Sequence, residues 1–265
     1  MLAPSTIPET YRQWNTQHAA PEGKPVPRYR LKKLLLSEEQ FQQRRGPFSI
    51  QTNCSTRAFE YPWVFEAGKF QPGMKVLEIG GGLSGFQFIL DQYGCSVVNV
   101  DPGMEAKGRG WPCDDKSMAA LNRCFRTRVD LRNTTLDQAN LTEDEFDRAY
   151  SISVIEHLPS PDALNVMAHT YRCLKPGGLF ILTIDLFLNL SPFSSRTKNE
   201  FGSNQNLCEL IASQPWELTV GQRNELFGFP EFNADKVLSQ LEKFLIGQTY
   251  PVLVQCLVLM KPVGS

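Results

Sequence analysis

The chain has 265 residues, of which 42% are hydrophobic, 11% aromatic and 21% charged. That composition supports a folded core without stapling by disulfides, and it excludes the disordered, collagen-like and coiled-coil classes. The 27 Lys and Arg residues nearly balance the 28 Asp and Glu residues, which gives a net charge of -1. Because no global positive field attracts polyanions, we do not expect a nucleic-acid partner.

The apolar stretches of the sequence are too short or too interrupted to cross a bilayer. Asp185 and Asn189 interrupt the stretch at 179–190, and the stretch at 252–260 is short. The first ten residues lack the basic start and apolar run of a secretory signal. The seven cysteines form no Cys-x-x-Cys pair, which is typical of reduced thiols. We therefore expect a cytoplasmic protein with no membrane partner.

Residues 1–70 are expected to form an N-terminal arm followed by cap helices. Five prolines in residues 1–30 make that stretch a poor helix host, so we expect an arm that wraps the surface or is mobile. The Ser37–Gln40 segment is typical of a helix start. A second short helix is predicted at 56–69, where aromatic residues supply the apolar positions.

From residue 71 to residue 265 the sequence alternates between apolar strands and helices. A helix is predicted at 85–93. The predicted strands are 75–79, 96–100, 128–131, 148–152, 179–184, 216–220 and 252–260. Continuous apolar strands separated by helices are typical of a mostly parallel sheet that is covered on both faces. The pattern therefore predicts a doubly wound α/β domain with a seven-stranded sheet.

A glycine-rich turn lies between the first strand and the first helix of this domain. Gly80, Gly82 and Gly85 satisfy G-x-G-x-x-G in the strand-to-helix context that makes the motif meaningful. Asp101 ends the next strand, 21 residues after Gly80, where a carboxylate can accept hydrogen bonds from both ribose hydroxyls. The pair indicates an adenosine-type cofactor, either a dinucleotide or S-adenosylmethionine. Glu78 favours S-adenosylmethionine, because a carboxylate is favourable beside an amino group and unfavourable beside a pyrophosphate.

The sequence resembles the class I S-adenosylmethionine-dependent methyltransferases, and in particular their type 11-like domains. Four blocks in the family's order carry the resemblance: 76–85 with Glu-x-Gly-x-Gly, 98–102 with its acidic residue, 145–158, and 174–178 before an apolar strand. The resemblance implies a Rossmann-like fold and S-adenosyl-L-methionine as the cofactor.

The same resemblance implies a set of cofactor-binding residues: Glu78, Gly80, Gly82, Asp101, Pro102, Asp130, Leu131, Ser151 and Ile152. Glu78 and the two glycines are expected at the aminocarboxypropyl end, and Asp101 at the ribose. Asp130 and Leu131 are expected at the adenine. Ser151 and Ile152, at the tip of the fourth strand, are expected beside the methionine and its methyl group.

An alternative is a short-chain-dehydrogenase-like oxidoreductase that uses NAD(P). Tyr171-x-x-x-Lys175 matches the catalytic pair of that family, in which the lysine lowers the pKa of a tyrosine general acid. However, Pro176-Gly177-Gly178 ends the helix at once. The spacing favours residues at a helix end, with the lysine complementing the helix dipole.

His157 is the candidate catalytic base. It follows the fourth strand, and its ordinary pKa of about 6.5 suits proton removal from a hydroxyl acceptor. The alternative is that Glu156 and His157 only fix the loop by hydrogen bonding. The segment is also similar to the Glu-x-x-Glu-His metal-binding stretch of small-RNA 3'-end ribose methyltransferases. Ser153 replaces the first glutamate of that stretch, so we expect no required metal.

The methyl acceptor is expected to meet the insert at 187–233, which is rich in aromatic residues. These residues are Phe187, Phe193, Phe201, Trp216, Phe227, Phe229 and Phe232. They suit the wall of a pocket for a small molecule methylated on oxygen or nitrogen, or else the core of a small subdomain. An RNA or protein methyltransferase and a non-catalytic cofactor-binding module are the remaining alternatives.

Overall fold

A computed structural model describes residues 1–27, 36–103 and 111–264 of the chain. Its strands are β1 (Lys75–Ile79), β2 (Ser96–Val100), β3 (Asp130–Arg132), β4 (Phe146–Ile152), β5 (Leu174–Phe187), β6 (Glu217–Val220) and β7 (Val252–Met260). They form one sheet in the order β3-β2-β1-β4-β5-β7-β6. β7 is antiparallel to β5 and β6, and the other pairs are parallel. The predicted mostly parallel seven-stranded sheet is confirmed.

The bounds of β1, β2 and β7 are those predicted, whereas β5 begins earlier than predicted. The sequence predicts a turn at 174–178, but the structure includes these residues in the strand. The reason is backbone pairing: Leu174 pairs with Phe146, and the Gly177 N–H donates to the Lys261 carbonyl at 2.7 Å. Long-range pairing of this kind overrides the local turn preference of Pro and Gly.

The helices are α1 (Glu9–His18), α2 (Glu38–Arg45), α3 (Arg57–Gly68), α4 (Gly85–Gln92), α5 (Asp115–Phe125), α6 (Ser160–Cys173), α7 (Leu207–Ala212) and α8 (Ala234–Leu238). Short 3₁₀ turns lie at Pro47–Ser49, Ile155–His157, Arg223–Glu225 and Leu241–Lys243. The predicted helix start is confirmed, because Ser37 and Gln40 form a capping box. In the described part of the chain, no helix has the length and apolar character that a membrane span needs.

Two helices differ from the sequence expectations. Residues 9–18 form α1, so the expectation of a poor helix host is wrong for this segment. Pro8 lies directly before the helix, where the missing N–H and fixed φ are tolerated, and no proline lies inside it. The structure also forms α5, which the sequence analysis did not predict. The Asp114 carboxylate caps it by accepting from the Ser117 N–H at 2.7 Å.

The core lies on both faces of the sheet. Alternate residues of β5 enter different clusters: Ile181 belongs to one, and Phe180 and Leu182 belong to the other. The first cluster also contains side chains from α1, α3, α4 and α5, and the second contains side chains from α6 and α7. Described side chains from the N-terminal region therefore share a core with the sheet, and the buried Ala3 donates its N–H to the Val254 carbonyl at 2.9 Å. The division of residues 1–70 into an arm and cap helices stays a prediction.

Phe48 connects this N-terminal region to the start of α4. Its side chain is fully buried, and its ring centroid lies 5.0 Å from that of Tyr61. A Cβ atom added at Gly85 would lie 2.6 Å from the Phe48 ring. The ring can therefore pack this closely against the backbone only because residue 85 is a glycine. The packing fixes where the glycine turn and α4 lie relative to the N-terminal helices.

Phe48→Ala should therefore lower the free energy of unfolding by about 3–5 kcal/mol, because it leaves a cavity in a closely packed core. Urea denaturation followed by circular dichroism measures the change. Leu164→Ala, at a partly exposed position of α6, is the control and should change stability by less than about 0.5 kcal/mol. An equal effect of the two substitutions would contradict the role assigned to Phe48.

Candidate active site

The glycine turn after β1 has no room for a side chain at Gly80 or Gly81. Gly80 and Gly82 have φ values of +70° and +56°, in the left-handed region that favours glycine. A Cβ atom added at Gly80 would lie 2.5 Å from Val154 Cγ1, and one at Gly81 would lie 2.1 Å from Glu78 Cδ. The turn thus forms a cradle whose shape depends on the absence of side chains, as the sequence predicts for a turn that approaches a ligand closely.

The Asp101 carboxylate lies directly against this turn. It is 7% exposed, and its two oxygens accept from the Gly82 N–H at 2.7 Å and the Gly103 N–H at 2.6 Å. The carboxyl ends of β1 and β2 therefore bring together the two parts of the predicted cofactor site. A carboxylate has about four lone-pair directions, so acceptor capacity is left for hydroxyl donors.

Glu78 is buried beneath the turn with one unpartnered oxygen. Its Oε1 accepts from the Ser84 hydroxyl at 3.3 Å, whereas its Oε2 has no hydrogen-bond partner. Burial raises the pKa of Glu78 to about 8. A ligand with an ammonium group would supply the missing donor and favour the ionised form. The cradle and the orphaned oxygen together fit the aminocarboxypropyl end of S-adenosylmethionine.

A cavity of about 70 Å³ extends from the turn to the end of β4. Its lining includes Glu78 and Gly80 on the β1 side, and Ile152 and Ser153 on the β4 side. Arg57 of α3 also lines it. Ser151 does not line it: its hydroxyl is buried and donates to the Ile79 carbonyl at 3.2 Å. Ile152 therefore lines the cavity beside the turn, its place beside the methyl group stays a prediction, and Ser151 connects β4 to β1.

The residues expected at the adenine lie further from the turn. Asp130 pairs with Val98 in the register of β3 and β2, and its half-exposed side chain is 3.4 Å from Arg132. Val100 pairs with Arg132 in the same register, and the Asp101 N–H donates to the Arg132 carbonyl at 3.1 Å. Leu131 is buried in the core, and Pro102 is exposed beside Asp101. An adenine role for Asp130 and Leu131 stays a prediction.

Six further residues at this edge were not predicted as site residues: Arg57, Glu60, Ser153, Glu156, Thr183 and Asp185. Glu60 forms an ion pair with Arg57 and accepts from the Thr183 hydroxyl at 2.6 Å. Ser153, which has a φ of +47°, places its hydroxyl 2.9 Å from Glu60 Oε1 and 3.3 Å from Asp185 Oδ1. The sequence signal was present, because Asp185 interrupts an apolar strand, but the interruption was used only to exclude a membrane span.

Burial and mutual repulsion raise the pKa values of two acids in this group. Burial is the main cause for Asp185, whose pKa rises to about 7, and the Glu60 charge adds to it. The pKa of Glu156 also lies well above its ordinary range, because of burial and the Asp185 charge. Neither oxygen of Glu156 has a hydrogen-bond partner. Such unpaired buried acids are typical of functional sites.

His157 lies outside this cavity. Its ring is exposed, and Nδ1 contacts the carbonyl oxygen of Phe201. This contact matches the loop-fixing alternative, and the role of His157 as a base stays a prediction. Tyr171 and Lys175 lie near the amino end of β5, at the edge opposite the glycine turn, where Lys175 pairs with Asp147 at 2.6 Å. Across the described ranges, no group of three or more His, Cys, Asp or Glu side chains is arranged to hold a metal ion.

The fold is a doubly wound α/β sheet, and the glycine turn and Asp101 lie at its carboxyl edge, where open α/β sheets bind their ligands. Residues 56–214 match the family described as methyltransferase domain, and the chain belongs to that family. The solved S-adenosylmethionine-dependent methyltransferase of Mesorhizobium loti has a TM-score of 0.51 and 14% identity, covering 76% of this chain and 97% of its own. At that identity the likeness concerns the fold.

Two curated relatives match shorter regions. The cyclopropane-fatty-acyl-phospholipid synthase of Escherichia coli is 28% identical over 158 residues, which are 56% of this chain and 38% of the synthase. Phosphoethanolamine N-methyltransferase 2 of Caenorhabditis elegans is 27% identical over 121 residues, which are 44% of this chain and 25% of that protein. The chain therefore spans well under half the length of these relatives.

Glu78 gives the site a testable pH signature. Its folded-state pKa of about 8 lies above the ordinary value of 4.5, so between these values the folded chain retains a proton that the unfolded chain loses. The stability that this proton contributes is therefore lost as the pH rises through that window. Glu78→Gln should reduce the difference in unfolding free energy between pH 5 and pH 8 by on the order of 3 kcal/mol.

Urea denaturation at the two pH values measures this difference, and Glu231→Gln on the surface is the matched control. The control should keep the wild-type pH dependence. A Glu78→Gln protein with the wild-type pH dependence would show that Glu78 is ionised in the folded chain, contrary to the burial argument.

Proposed function

We propose that the chain transfers a methyl group from S-adenosylmethionine to an oxygen or nitrogen of a small molecule. The observation that carries the proposal is the Asp101 carboxylate, which accepts from the Gly82 N–H; a carboxylate held against the glycine turn supports ribose binding there. Membership of the methyltransferase-domain family supports the reaction class. The small-molecule acceptor is supported by the balanced charge of the chain, which offers no global field for a polyanion.

The residues that would hold the cofactor lie in order along the edge. Glu78 and the backbone of Gly80 and Gly82 would hold the aminocarboxypropyl end, and Asp101 the ribose. Ile152 would lie towards the methyl group. When bound, the cofactor supplies an electrophilic methyl carbon on a sulfonium. The protein's part is to align an acceptor lone pair with that carbon and to take up a proton, since methyl transfer needs mainly positioning.

The insert contributes less to the acceptor site than its aromatic content suggested. Phe193, Phe227 and Phe232 pack on one another, and Trp216 packs on Tyr171. These residues form the core of the insert and its contact with α6. Phe201 differs, because its ring stacks on Tyr250 at a centroid distance of 4.4 Å beside Asp185. We propose that Phe201 is the insert residue that borders the acceptor.

Asp101→Ala should weaken binding of S-adenosylhomocysteine by about 1.5–3 kcal/mol, which is roughly 10- to 150-fold, because charge-assisted hydrogen bonds to the ribose are lost. Calorimetric titration measures the affinity, and thermal unfolding checks that the variant is folded. Asp162→Ala, in the first turn of α6, is the control and should bind as the wild type does.

Two results would contradict the proposed function. One is wild-type affinity in the Asp101→Ala protein. The other is binding of NADH by a wild-type chain that does not bind S-adenosylhomocysteine, which would support the oxidoreductase alternative.

A further inference from the structure

Three buried acids from different parts of the chain meet at the carboxyl edge. Glu60 belongs to α3, Glu156 to the 3₁₀ turn after β4, and Asp185 to β5, and each side chain is fully buried. We call these residues the carboxylate cluster. In the part of the chain that the structure describes, Arg57 is the cation in contact with them, through its ion pair with Glu60.

The three acids differ in how well they are satisfied. Glu60 has the Arg57 ion pair and hydrogen bonds from Thr183 and Ser153, so it is part of a complete network. Asp185 has two long contacts, with Ser153 and with the Tyr250 hydroxyl, both at 3.3 Å. Glu156 has no partner at either oxygen. Burying an acid without hydrogen-bond donors lowers the stability of the fold. The requirements of folding alone therefore do not explain why Asp185 and Glu156 are buried.

The cluster continues from the cofactor site. Arg57 and Ser153, which contact Glu60, also line the cavity that contains Glu78 and Gly80. Two aromatic rings lie on the other side of the cluster. The Tyr250 hydroxyl donates to Asp185, and the Phe201 ring stacks on the Tyr250 ring. The backbone at Gly202 packs against Glu156, where an added Cβ atom would lie 2.0 Å from the Glu156 carbonyl oxygen. Acidic oxygens beside aromatic faces form an environment that favours an organic ammonium ion.

Resting on the proposed function, we infer that the carboxylate cluster is the acceptor site, that the acceptor is an organic amine that enters as its ammonium ion, and that Asp185 takes its proton. An alcohol would bring a donor but no positive charge to offset the acids. A divalent metal is less suitable, because the acids of the described chain are not arranged as a metal-binding group.

The step balances as follows. An N–H bond of the ammonium breaks, its proton passes to an oxygen of Asp185, and the electron pair stays on nitrogen. This lone pair forms the new C–N bond to the methyl carbon while the C–S bond breaks and its pair remains on sulfur. The positive charge thus moves from the sulfonium to the methylated ammonium, the other product is a thioether, and Asp185 returns its proton to water.

The surroundings of Asp185 suit this role. Burial and the Glu60 charge raise its pKa to about 7, while Arg57, Tyr250 and Ser153 oppose the rise. The Asp185 charge in turn contributes to raising the pKa values of Glu156 in the 3₁₀ turn and of the Cys54 and Cys256 thiols. A base whose pKa is near the working pH is effective in proton transfer. His157, which contacts the Phe201 carbonyl, would then position the aromatic residue that covers the cluster.

Binding of matched probes to the chain saturated with S-adenosylhomocysteine tests the inference. The probes are benzylamine against benzyl alcohol, and hexylamine against hexanol. We expect at least one amine to bind on the order of tenfold more tightly than its alcohol, and Asp185→Asn and Glu156→Gln each to abolish that preference. Glu231→Gln on the surface is the control. S-adenosylhomocysteine affinity should stay near wild type in every variant, because neither acid belongs to the cofactor site, and thermal unfolding checks that each variant is folded.

The pH dependence separates a proton acceptor from a structural acid. Below the pKa of the amine itself, amine affinity should rise as the pH increases from 6 to 8, because Asp185 ionises in that range, and Asp185→Asn should remove the rise. Equal binding of amines and alcohols, stabilisation by Mg²⁺ in place of the amines, or an unchanged pH dependence in Asp185→Asn would each overturn the inference. Failure of S-adenosylhomocysteine to bind would instead overturn the proposed function, so the two failures are distinguishable.

Discussion

The burial of acidic side chains at one edge of the sheet is the constraint on which the rest of the site depends. Among the described residues, five acids are buried, Glu60, Glu78, Asp101, Glu156 and Asp185, and all five lie at the carboxyl edge. Buried acids need donors or cations, and among the described residues Glu60 and Asp101 have a short hydrogen bond or an ion pair at each oxygen, although Asp101 keeps acceptor capacity for hydroxyl donors. Glu78, Glu156 and Asp185 retain oxygens without short hydrogen bonds, and a cationic or hydroxyl-bearing ligand can supply the missing donors.

The remainder of the fold holds this unfavourable arrangement in place. The glycine turn packs against Val154 on one side, and α4 packs against Phe48 on the other, so the backbone amides that bond Asp101 have little freedom to move. Arg57 and Glu60 attach α3 to Ser153 and Thr183 at the ends of β4 and β5. Two well-packed cores on either face of the sheet provide stability that offsets the cost of the buried acids.

Local patterns predicted the features that depend on neighbours in sequence. The apolar runs of β1, β2 and β7 gave their bounds, and the spacing of Gly80, Gly82 and Asp101 predicted a glycine turn and a carboxylate that the structure brings together. The carboxylate cluster could not be predicted in this way, because Glu156 and Asp185 lie 96 and 125 positions after Glu60. His157 follows β4 as the sequence predicts. Its ring contacts Phe201, however, and that residue comes near only in the folded chain.

A crystal structure of the chain with S-adenosylhomocysteine and an amine tests the account most directly. The account predicts that the ribose hydroxyls bond to Asp101, that the ligand's ammonium lies beside Glu78, and that its sulfur faces Ser153 and Asp185, with the amine between Asp185 and Glu156. A ligand sulfur that faces away from Asp185, with the carboxylate cluster still enclosed and without a ligand contact, would contradict it.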